Sequence, residues 1–459
     1  MRFLFTTIQF EESEFYGRVG HELAALGHES GHVTISRLAS RRFPRGQPAL
    51  HLGGLMRDCG PGGTNLESEA SRIEDQYGLP TLRTAWWPDP ACEGKPEGWC
   101  LERTVRTFRA VERAFDRLRP DIVVPEVGSE TMRTAAHLVA LERGIKVFFL
   151  FFTIFPKPLR LYVDRFDGQI VDTAQVRALS PAERQEVGEW AARFTSTGKP
   201  ILAHRVARVT APKLRDLARH VAVKTLVERD NEYLTPRRYV TNTIVHRTRG
   251  VALRRLYQRL EPGRPFVYFP LHVTDDFKIK KVIPHCVDQG YLIEQVADAL
   301  PAGYDLVLKE HPVSIGRNPL LWLRRVLRRP NIRLVDPYTS SHELIAEAAA
   351  VTVISSTVGL EALLHGKPVL TLGQPYYAGY GVTVDVDSFR EIRSAVSRVM
   401  SSPPDPERTL RFLGAAMRST YLGAPQGVDS SPENASKLAH TLDLAARRHS
   451  KGALEPAVA

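Results

Sequence analysis

Cysteine is scarce in this chain of 459 residues, which contains only Cys59, Cys92, Cys100 and Cys286. No two of them are spaced Cys-x-x-Cys, and this disfavours a structural zinc site. So few thiols in a long chain are typical of proteins kept reduced in the cytosol, so we expect Cys92 and Cys100 to stay unpaired despite their proximity. The chain is therefore not predicted to be held together by disulfides or by a structural metal.

Long apolar runs are also missing. The first ten residues mix apolar and polar side chains and lead into Glu11, Glu12 and Glu14, which predicts a first β-strand rather than a signal peptide. The most apolar window, 147–156, has half of the roughly 20 residues that a membrane helix needs. We therefore expect a cytoplasmic protein, and peripheral attachment to the inner face of the plasma membrane stays open.

Nucleic-acid-binding motifs are absent as well: there is no zinc finger, RNA-binding aromatic motif or basic zipper, so no nucleic-acid partner is predicted. The net charge of +11 nevertheless favours phosphate-bearing partners such as nucleotides or anionic lipids. The arginines of 324–333 are interpreted as a solvated helix face, with contact to membrane phosphates as the alternative.

What the chain does contain is a repeated alternation of strand and helix signals, which predicts parallel sheets. We expect an α/β protein with an N-terminal Rossmann-like domain at 1–179 and a second one at 263–425. Between them, 180–262 reads as a helical, basic insertion and interdomain connection. Residues 426–459 are predicted to form a closing helix and a disordered tail, and glycine-rich 53–63 a loop.

The polar residues of 304–373 are concentrated at predicted strand ends. Such ends are where parallel α/β sheets place ligand chemistry. The turn Ser355-Ser356-Thr357-Val358-Gly359 lies between a strand and a helix, where free N–H groups and hydroxyls favour a phosphate. N-capping would explain one hydroxyl but not three. Glu361, one turn further on, could accept hydrogen bonds from a ribose, or could only complement the helix dipole.

Two other strand ends carry candidate residues. Lys309 and His311 belong to a Lys-Glu-His-Pro sequence in which Pro312 turns the chain, so His311 would face the crevice. After an earlier strand come His272, a candidate substrate-binding residue, and Asp275, a candidate catalytic residue. Asp275 and Asp276 could also bind a metal or simply form a solvated turn.

In the N-terminal half, Glu126 follows a buried strand and precedes a helix, so it is a candidate general base. The acids after the first strand compete for that role, and Glu14 is the candidate among them. Acids at helix starts are common for dipole reasons alone.

Together these sequences resemble the capsule polysaccharide biosynthesis family, which includes bacterial β-Kdo transferases. The resemblance is carried by Phe269-Pro270-Leu271-His272, Lys309-Glu310-His311-Pro312, Ser355-Ser356-Thr357-Val358-Gly359-Leu360-Glu361 and Gly366-Lys367-Pro368-Val369.

The resemblance implies a GT-B fold, in which two Rossmann-like domains face a central crevice. It also implies a nucleotide sugar bound by the second domain, with phosphate held by His311 and the 355–357 turn and ribose by Glu361. The acceptor would bind the first domain, and no metal or other cofactor would be needed. The family's pattern does not extend to 180–262.

We therefore predict a glycosyltransferase that moves a sugar onto a capsular or other surface polysaccharide or glycolipid. A CMP-activated acidic sugar such as Kdo is the favoured donor. The alternatives are a UDP-aminosugar 2-epimerase-like enzyme of the same fold, a non-catalytic nucleotide-sugar-binding scaffold of a capsule assembly complex, and a CDP-alditol phosphotransferase.

Overall fold

The computed structural model describes residues 1–59, 65–197, 215, 218–219, 221–228 and 236–450. The chain divides into two compact units. The first consists of Met1–Phe166, Val209–Tyr239 and Thr420–Ala459, and the second of Asp167–Arg208 and Val240–Ser419. The predicted α/β fold with two doubly wound, parallel-sheet domains is confirmed.

The first unit is built on a six-stranded sheet with the order β3-β2-β1-β4-β5-β6. Its strands are β1 (Arg2–Thr7), β2 (Glu29–Thr34), β3 (Ala49–His51), β4 (Ile122–Pro125), β5 (Lys146–Phe152) and β6 (Leu159–Val163). Strands β1 to β5 are parallel, and β6 runs antiparallel to β5. The strand order reverses direction between β1 and β4, which makes that position the switch point of the sheet.

The second unit repeats this order with six parallel strands, β12-β11-β10-β7-β8-β9. The strands are β7 (Phe266–Pro270), β8 (Asp305–Lys309), β9 (Ile332–Val335), β10 (Ala350–Val353), β11 (Val369–Thr371) and β12 (Val384–Asp385). Its switch point lies between β7 and β10.

The described α-helices are numbered in chain order. They are α1 (Phe10–Ala25), α2 (Arg37–Ser40), α3 (Leu52–Asp58), α4 (Leu66–Tyr77), α5 (Arg83–Trp86), α6 (Glu97–Leu118), α7 (Thr131–Glu142), α8 (Pro181–Thr197), α9 (Pro236–Leu253), α10 (Gln289–Ala299), α11 (Leu320–Val326), α12 (Ser341–Glu347), α13 (Val358–Leu364), α14 (Ile392–Ser401), α15 (Pro406–Arg418) and α16 (Pro432–Ser450). Gly27 terminates α1, since this glycine has φ +83° and its N–H donates to the carbonyl of Ala24.

Each sheet is buried in its own apolar core. In the first unit, fully buried Phe3, Phe5 and Val124 of the sheet pack with apolar residues of α16 such as Leu438 and Leu442. In the second unit the core includes the following residues of the central strands: Val267, Phe269, Leu306, Leu308 and Ala350. Because strands buried on both faces are mostly apolar, charged side chains are found mainly at their ends.

Several predicted boundaries differ from the structure. The loop predicted at 53–63 is helix α3 over Leu52–Asp58, begun by His51, whose Nδ1 accepts from Gly54 N at 3.0 Å. The compact units divide the chain at Phe166 rather than at 179. Strands β3, β6 and β12 were not predicted, because they are short or antiparallel edge strands. Helix α15 was not predicted either.

The closing helix is confirmed as α16, and it belongs to the first unit through its packing on α1. Helices α8 and α9 agree with the helical character predicted for 180–262. Residues 198–214 and 229–235 of this predicted segment lie outside the described residues, as does the predicted disordered tail. Within the described ranges, no helix combines the length and apolar character that a bilayer crossing requires.

Candidate functional site

Three predicted site residues meet at the carboxyl edge of the second sheet. His272 comes two residues after β7, Lys309 ends β8, and Ser355 comes two residues after β10. Strand β7 lies between β8 and β10 in the sheet, so these three positions are adjacent. The expectation that the polar strand ends of this domain share one edge is therefore confirmed, and they lie at its switch point.

A hydrogen bond joins the two sides of this switch point. The backbone N–H of Ser355 donates to Nε2 of His272 over 3.0 Å, so the imidazole carries its own proton on Nδ1. Burial lowers the pKa of His272 to about 4, and the neighbouring Lys278 and His311 act in the same direction while Asp276 opposes them. The side chain of Gln289 bonds to both backbone groups of His272, at 2.9 and 3.3 Å. His272 is therefore a fixed, neutral imidazole at neutral pH.

The three hydroxyls of the serine turn have different surroundings. Ser356 Oγ accepts from Val358 N over 3.2 Å, which is the ordinary capping role. Thr357 has helical backbone angles and makes no side-chain cap. Among the described residues, the hydroxyls of Ser355 and Thr357 have no protein hydrogen-bond partner. Two of the three hydroxyls thus remain available to a ligand.

Gly359 has a packing role in the turn. A Cβ at this position would lie 2.1 Å from the hydroxyl oxygen of Tyr377, which donates a short hydrogen bond to the carbonyl of Ser356. Only glycine lets the tyrosine hydroxyl approach so closely. The structure therefore explains Gly359 through Tyr377, and its contact with substrate stays a prediction.

Lys309 and the half-buried Glu361 influence each other electrostatically beside the turn. Lys309 is buried and donates to Ser341 Oγ over 2.6 Å. Burial lowers the pKa of Lys309 to about 8, although Glu361 acts in the opposite direction. Burial likewise raises the pKa of Glu361 to about 7 against the effect of Lys309. Both groups are thus poorly compensated, and an anionic ligand would stabilise the ammonium form of Lys309.

The other two candidates at this edge are less enclosed. His311 is exposed, and its Nδ1 accepts from Val313 N over 3.2 Å. Asp275 is half exposed, and its two carboxylate oxygens accept from Arg317 over 2.8 and 3.0 Å. The catalytic role of Asp275 and the binding role of His311 stay predictions.

Glu310 shows that part of the Lys-Glu-His-Pro sequence is structural. Its side chain is fully buried and accepts from Asn318 Nδ2 over 2.8 Å, while Asn318 Oδ1 accepts from Thr274. Burial raises the pKa of Glu310. This chain of bonds ties the turn after β8 to the turn after β7, and the sequence offered no signal for it.

The first sheet carries a different cluster at its own switch point. Glu126 follows β4, and Glu12 and Tyr16 lie on α1, which follows β1. Arg133, buried on α7, donates to Glu130 over 3.0 Å and makes a short bond to Glu12. One guanidinium thus compensates two carboxylates, and the third carboxylate of the cluster, Glu126, has no cation of its own among the bonds of the described residues.

Glu126 is the group in this cluster most suited to proton transfer. The hydroxyl of Tyr16 donates a short hydrogen bond to it. Burial and the negative charge of Glu12 raise the pKa of Glu126 to about 7, although the bond from Tyr16 and the charge of Arg133 act in the opposite direction. Part of the residue stays open to solvent. A carboxyl group that titrates near neutral pH can accept or deliver a proton under working conditions.

Glu14 does not join this cluster. It is 53% exposed and forms an ion pair with Arg18, one turn further along α1. Helix α1 begins at Phe10, so Glu12 falls on its buried face with Tyr16 and Val19. The carboxylate of Glu12 also accepts from Ile8 N over 2.6 Å. Of the acids after β1, the structure therefore places Glu12 and not Glu14 beside Glu126.

Glu130, Arg133 and Tyr16 were not predicted as site residues. A buried arginine one turn after a strand-end acid is a usable signal for Glu130 and Arg133. No local pattern identifies Tyr16, because it reads as one more apolar position of α1.

Comparison with known proteins matches residues 202–402 to the family model described as "Capsule polysaccharide biosynthesis protein". Protein FixF of Sinorhizobium fredii is 31% identical over 161 residues, which is 34% of this chain and 37% of FixF. Capsule polysaccharide modification protein LipB of Neisseria meningitidis is 26% identical over 164 residues, or 33% of this chain and 37% of LipB. These matches thus span well under two thirds of the relatives' length.

Among solved structures, the β-Kdo 2,7 transferase KpsC of Thermosulfurimonas dismutans is 17% identical and covers 68% of this chain and 85% of its own, with a TM-score of 0.33. A likeness at this level does not identify a reaction. The resemblance to the capsule polysaccharide biosynthesis family, predicted from the motifs, is confirmed by the family model for the region that holds the second switch point.

Proposed function

We propose that this protein is a glycosyltransferase of capsule or surface polysaccharide synthesis that binds a nucleotide-sugar donor at the second switch point. The observation that carries the proposal is the set of unsatisfied groups there. The buried ammonium group of Lys309 has a lowered pKa, and the hydroxyls of Ser355 and Thr357 have no partner among the described residues. These groups share one edge of the sheet with the fixed, neutral imidazole of His272. Such a set suits a phosphate and its attached ribose.

The donor we favour is a CMP-activated acidic sugar such as Kdo, because the motifs at this edge are similar to those of β-Kdo transferases. Lys309 and the hydroxyls of the serine turn would stabilise the negative charge that develops on the leaving nucleotide phosphate. His311, which is exposed at the same edge of the sheet, would add a hydrogen bond to the phosphate. Glu361 would accept from the ribose hydroxyls. As in the GT-B enzymes that the motifs resemble, this step would need no metal.

The acceptor would be a surface polysaccharide or glycolipid bound by the first unit. Glu126 would take the proton of the attacking hydroxyl group, and the bond from Tyr16 would orient it. Glu12 and Glu130 would hold Arg133 in place as the local positive charge. Such an acceptor would bring the enzyme to the inner face of the plasma membrane or to a capsule assembly complex.

The test is a transfer assay with CMP-Kdo, a Kdo-terminated oligosaccharide acceptor and excess chelator. We expect CMP release and a lengthened acceptor, and a loss of about a hundredfold or more in rate for Glu126→Gln, the effect of removing a general base. Glu14→Gln is the matched control and should retain the wild-type rate. Equal rates for the two variants would remove Glu126 from the mechanism.

The carboxylate cluster also favours a second candidate, a UDP-aminosugar 2-epimerase-like enzyme, because elimination chemistry needs several acids around one sugar. Incubation with a UDP-aminosugar and no acceptor separates the two functions, since only an epimerase would change the sugar. Nucleotide binding without turnover in either assay would instead indicate a scaffold subunit.

A further inference from the structure

Helix α9 carries an exposed face that combines aliphatic and arginine side chains. Ile244 is 57% and Val251 65% exposed, and they stand two turns apart on the helix. Arg247 and Thr248 between them are exposed too, and Arg254 and Arg255 follow directly after the helix. We call the surface formed by these six residues the α9 face.

The opposite side of α9 is fixed to the second unit. Leu253 is fully buried in that unit's core. A Cβ on Gly316 would lie 1.9 Å from the carbonyl oxygen of His246, and a Cβ on Gly250 would lie 3.1 Å from Ile315. Residues 246, 250 and 253 are therefore the packed side, and the helical period of 3.6 places 244, 248 and 251 opposite to it. The α9 face points away from the core because of this packing.

The charge of the segment is of one sign. Residues 236–260 contain seven arginines and no aspartate or glutamate. Within the part of the chain that the structure describes, no acid forms an ion pair with Arg247, Arg254 or Arg255. By contrast, Arg325 on α11 and Arg329 just after it both pair with Glu294. The α9 face thus combines uncompensated positive charge with exposed aliphatic side chains.

We propose that the α9 face binds the surface of a bilayer that contains anionic lipids. Arginine near such a surface is attracted to its phosphates, and aliphatic side chains between the arginines gain free energy by entering the acyl boundary. A soluble polyanion would bind the arginines equally well but would gain nothing from Ile244 and Val251. The aliphatic residues therefore select the membrane. None of its six residues is a candidate residue of either switch point, and its test needs no sugar substrate.

The test is co-sedimentation of the full chain with vesicles of phosphatidylcholine, with and without phosphatidylglycerol. We expect binding only when phosphatidylglycerol is present, and weaker binding as ionic strength rises. Arg247→Gln/Arg254→Gln should reduce the apparent affinity by about tenfold or more. The matched control is Arg325→Gln/Arg329→Gln, which removes two arginines that pair with Glu294 and should bind as the wild type does.

A second pair of variants tests the aliphatic part. Val251→Ser should lower vesicle affinity by about threefold to tenfold, whereas Leu321→Ser, at a 78% exposed leucine of α11, should not. Unchanged melting temperatures would show that all four proteins fold. Equal losses in the α9 and α11 variants would overturn the proposal. So would a loss with the arginine pair alone, accompanied by equal binding to a soluble acidic polysaccharide.

Discussion

The two sheets share one strand order, and each brings polar side chains together at its switch point. At the first switch point the buried cation is compensated, because Arg133 pairs with Glu12 and Glu130, while Glu126 has no cation of its own among the bonds of the described residues. At the second, buried Lys309 has a serine as its hydrogen-bond partner, and the hydroxyls of Ser355 and Thr357 have no partner within the described part of the chain. The buried cation of the first site is thus paired with carboxylates, whereas that of the second is bonded to a neutral hydroxyl.

This difference bears on how each site contributes to stability. A buried charge that is paired is costly to break, because its partners are left uncompensated. A buried charge that lacks an opposite charge within the protein already lowers the stability of the fold. Removing it should therefore change the free energy of unfolding little in the absence of a ligand. Removing the buried cation should therefore change the free energy of unfolding by different amounts at the two switch points.

The largest effect is expected when the cation is removed from each site. Arg133→Met should lower the free energy of unfolding by about 3–5 kcal/mol, because Glu12 and Glu130 are left without their cation. Lys309→Met should change it by less than about 1 kcal/mol, because an apolar chain of similar size replaces a poorly solvated ammonium. Urea denaturation of both variants measures this. Equal losses would mean that the charge of Lys309 is compensated within the protein as fully as that of Arg133.

A smaller effect is expected in the pH dependence of stability. The pKa of Glu126 is raised from 4.5 to about 7 in the folded protein, so between these values the folded state binds more protons than the unfolded state. The contribution of Glu126 to stability therefore falls as pH rises through this window and is constant above it. His272, with its lowered pKa, acts in the opposite direction between about 4 and 6.5.

Glu126→Gln isolates the first contribution. Relative to the wild type, this variant should gain about 2 kcal/mol between pH 4.5 and pH 7. Denaturant titrations at several pH values measure the difference. A constant difference across the window would contradict the raised pKa. If Glu126 acts as a base, kcat/KM of the wild type should also rise through about pH 7.

The smallest expected effect distinguishes hydroxyls within one turn. Ser355→Ala and Thr357→Ala should each weaken nucleotide binding by up to about tenfold, the value of one hydrogen bond to a charged group, and leave the melting temperature unchanged. Ser356→Ala should do the reverse, because its hydroxyl caps Val358 rather than facing a ligand. Calorimetric titration and thermal melting of the three variants separate the two roles.

The second switch point could be predicted because its signals are local. The motifs around His272, Lys309 and Ser355 each follow a recognisable apolar strand, and parallel strands bring such ends to one edge. The first could be predicted only for Glu126. The choice between Glu12 and Glu14 depends on where α1 begins, and a shift of a few residues rotates a helix enough to exchange a buried acid for an exposed one.

Other features required contacts between distant parts of the chain. The packing of α16 on α1 joins residues more than 400 positions apart, and no local pattern indicates such a pairing. The roles of Gly359 and Glu310 depend on Tyr377 and Asn318, which approach from other turns. Sequence patterns identified these residues as notable but could not separate structural from binding roles.

The central claim is that the second switch point binds a nucleotide through Lys309. The most direct measurement is the melting temperature of the wild type and Lys309→Met with CMP, CDP, UDP and GDP. The account predicts that the wild type is stabilised by at least one nucleotide, by about 2.7 kcal/mol at a hundredfold excess over Kd, and that Lys309→Met loses most of this gain. No shift with any of the four nucleotides, or an equal shift in both proteins, would contradict it.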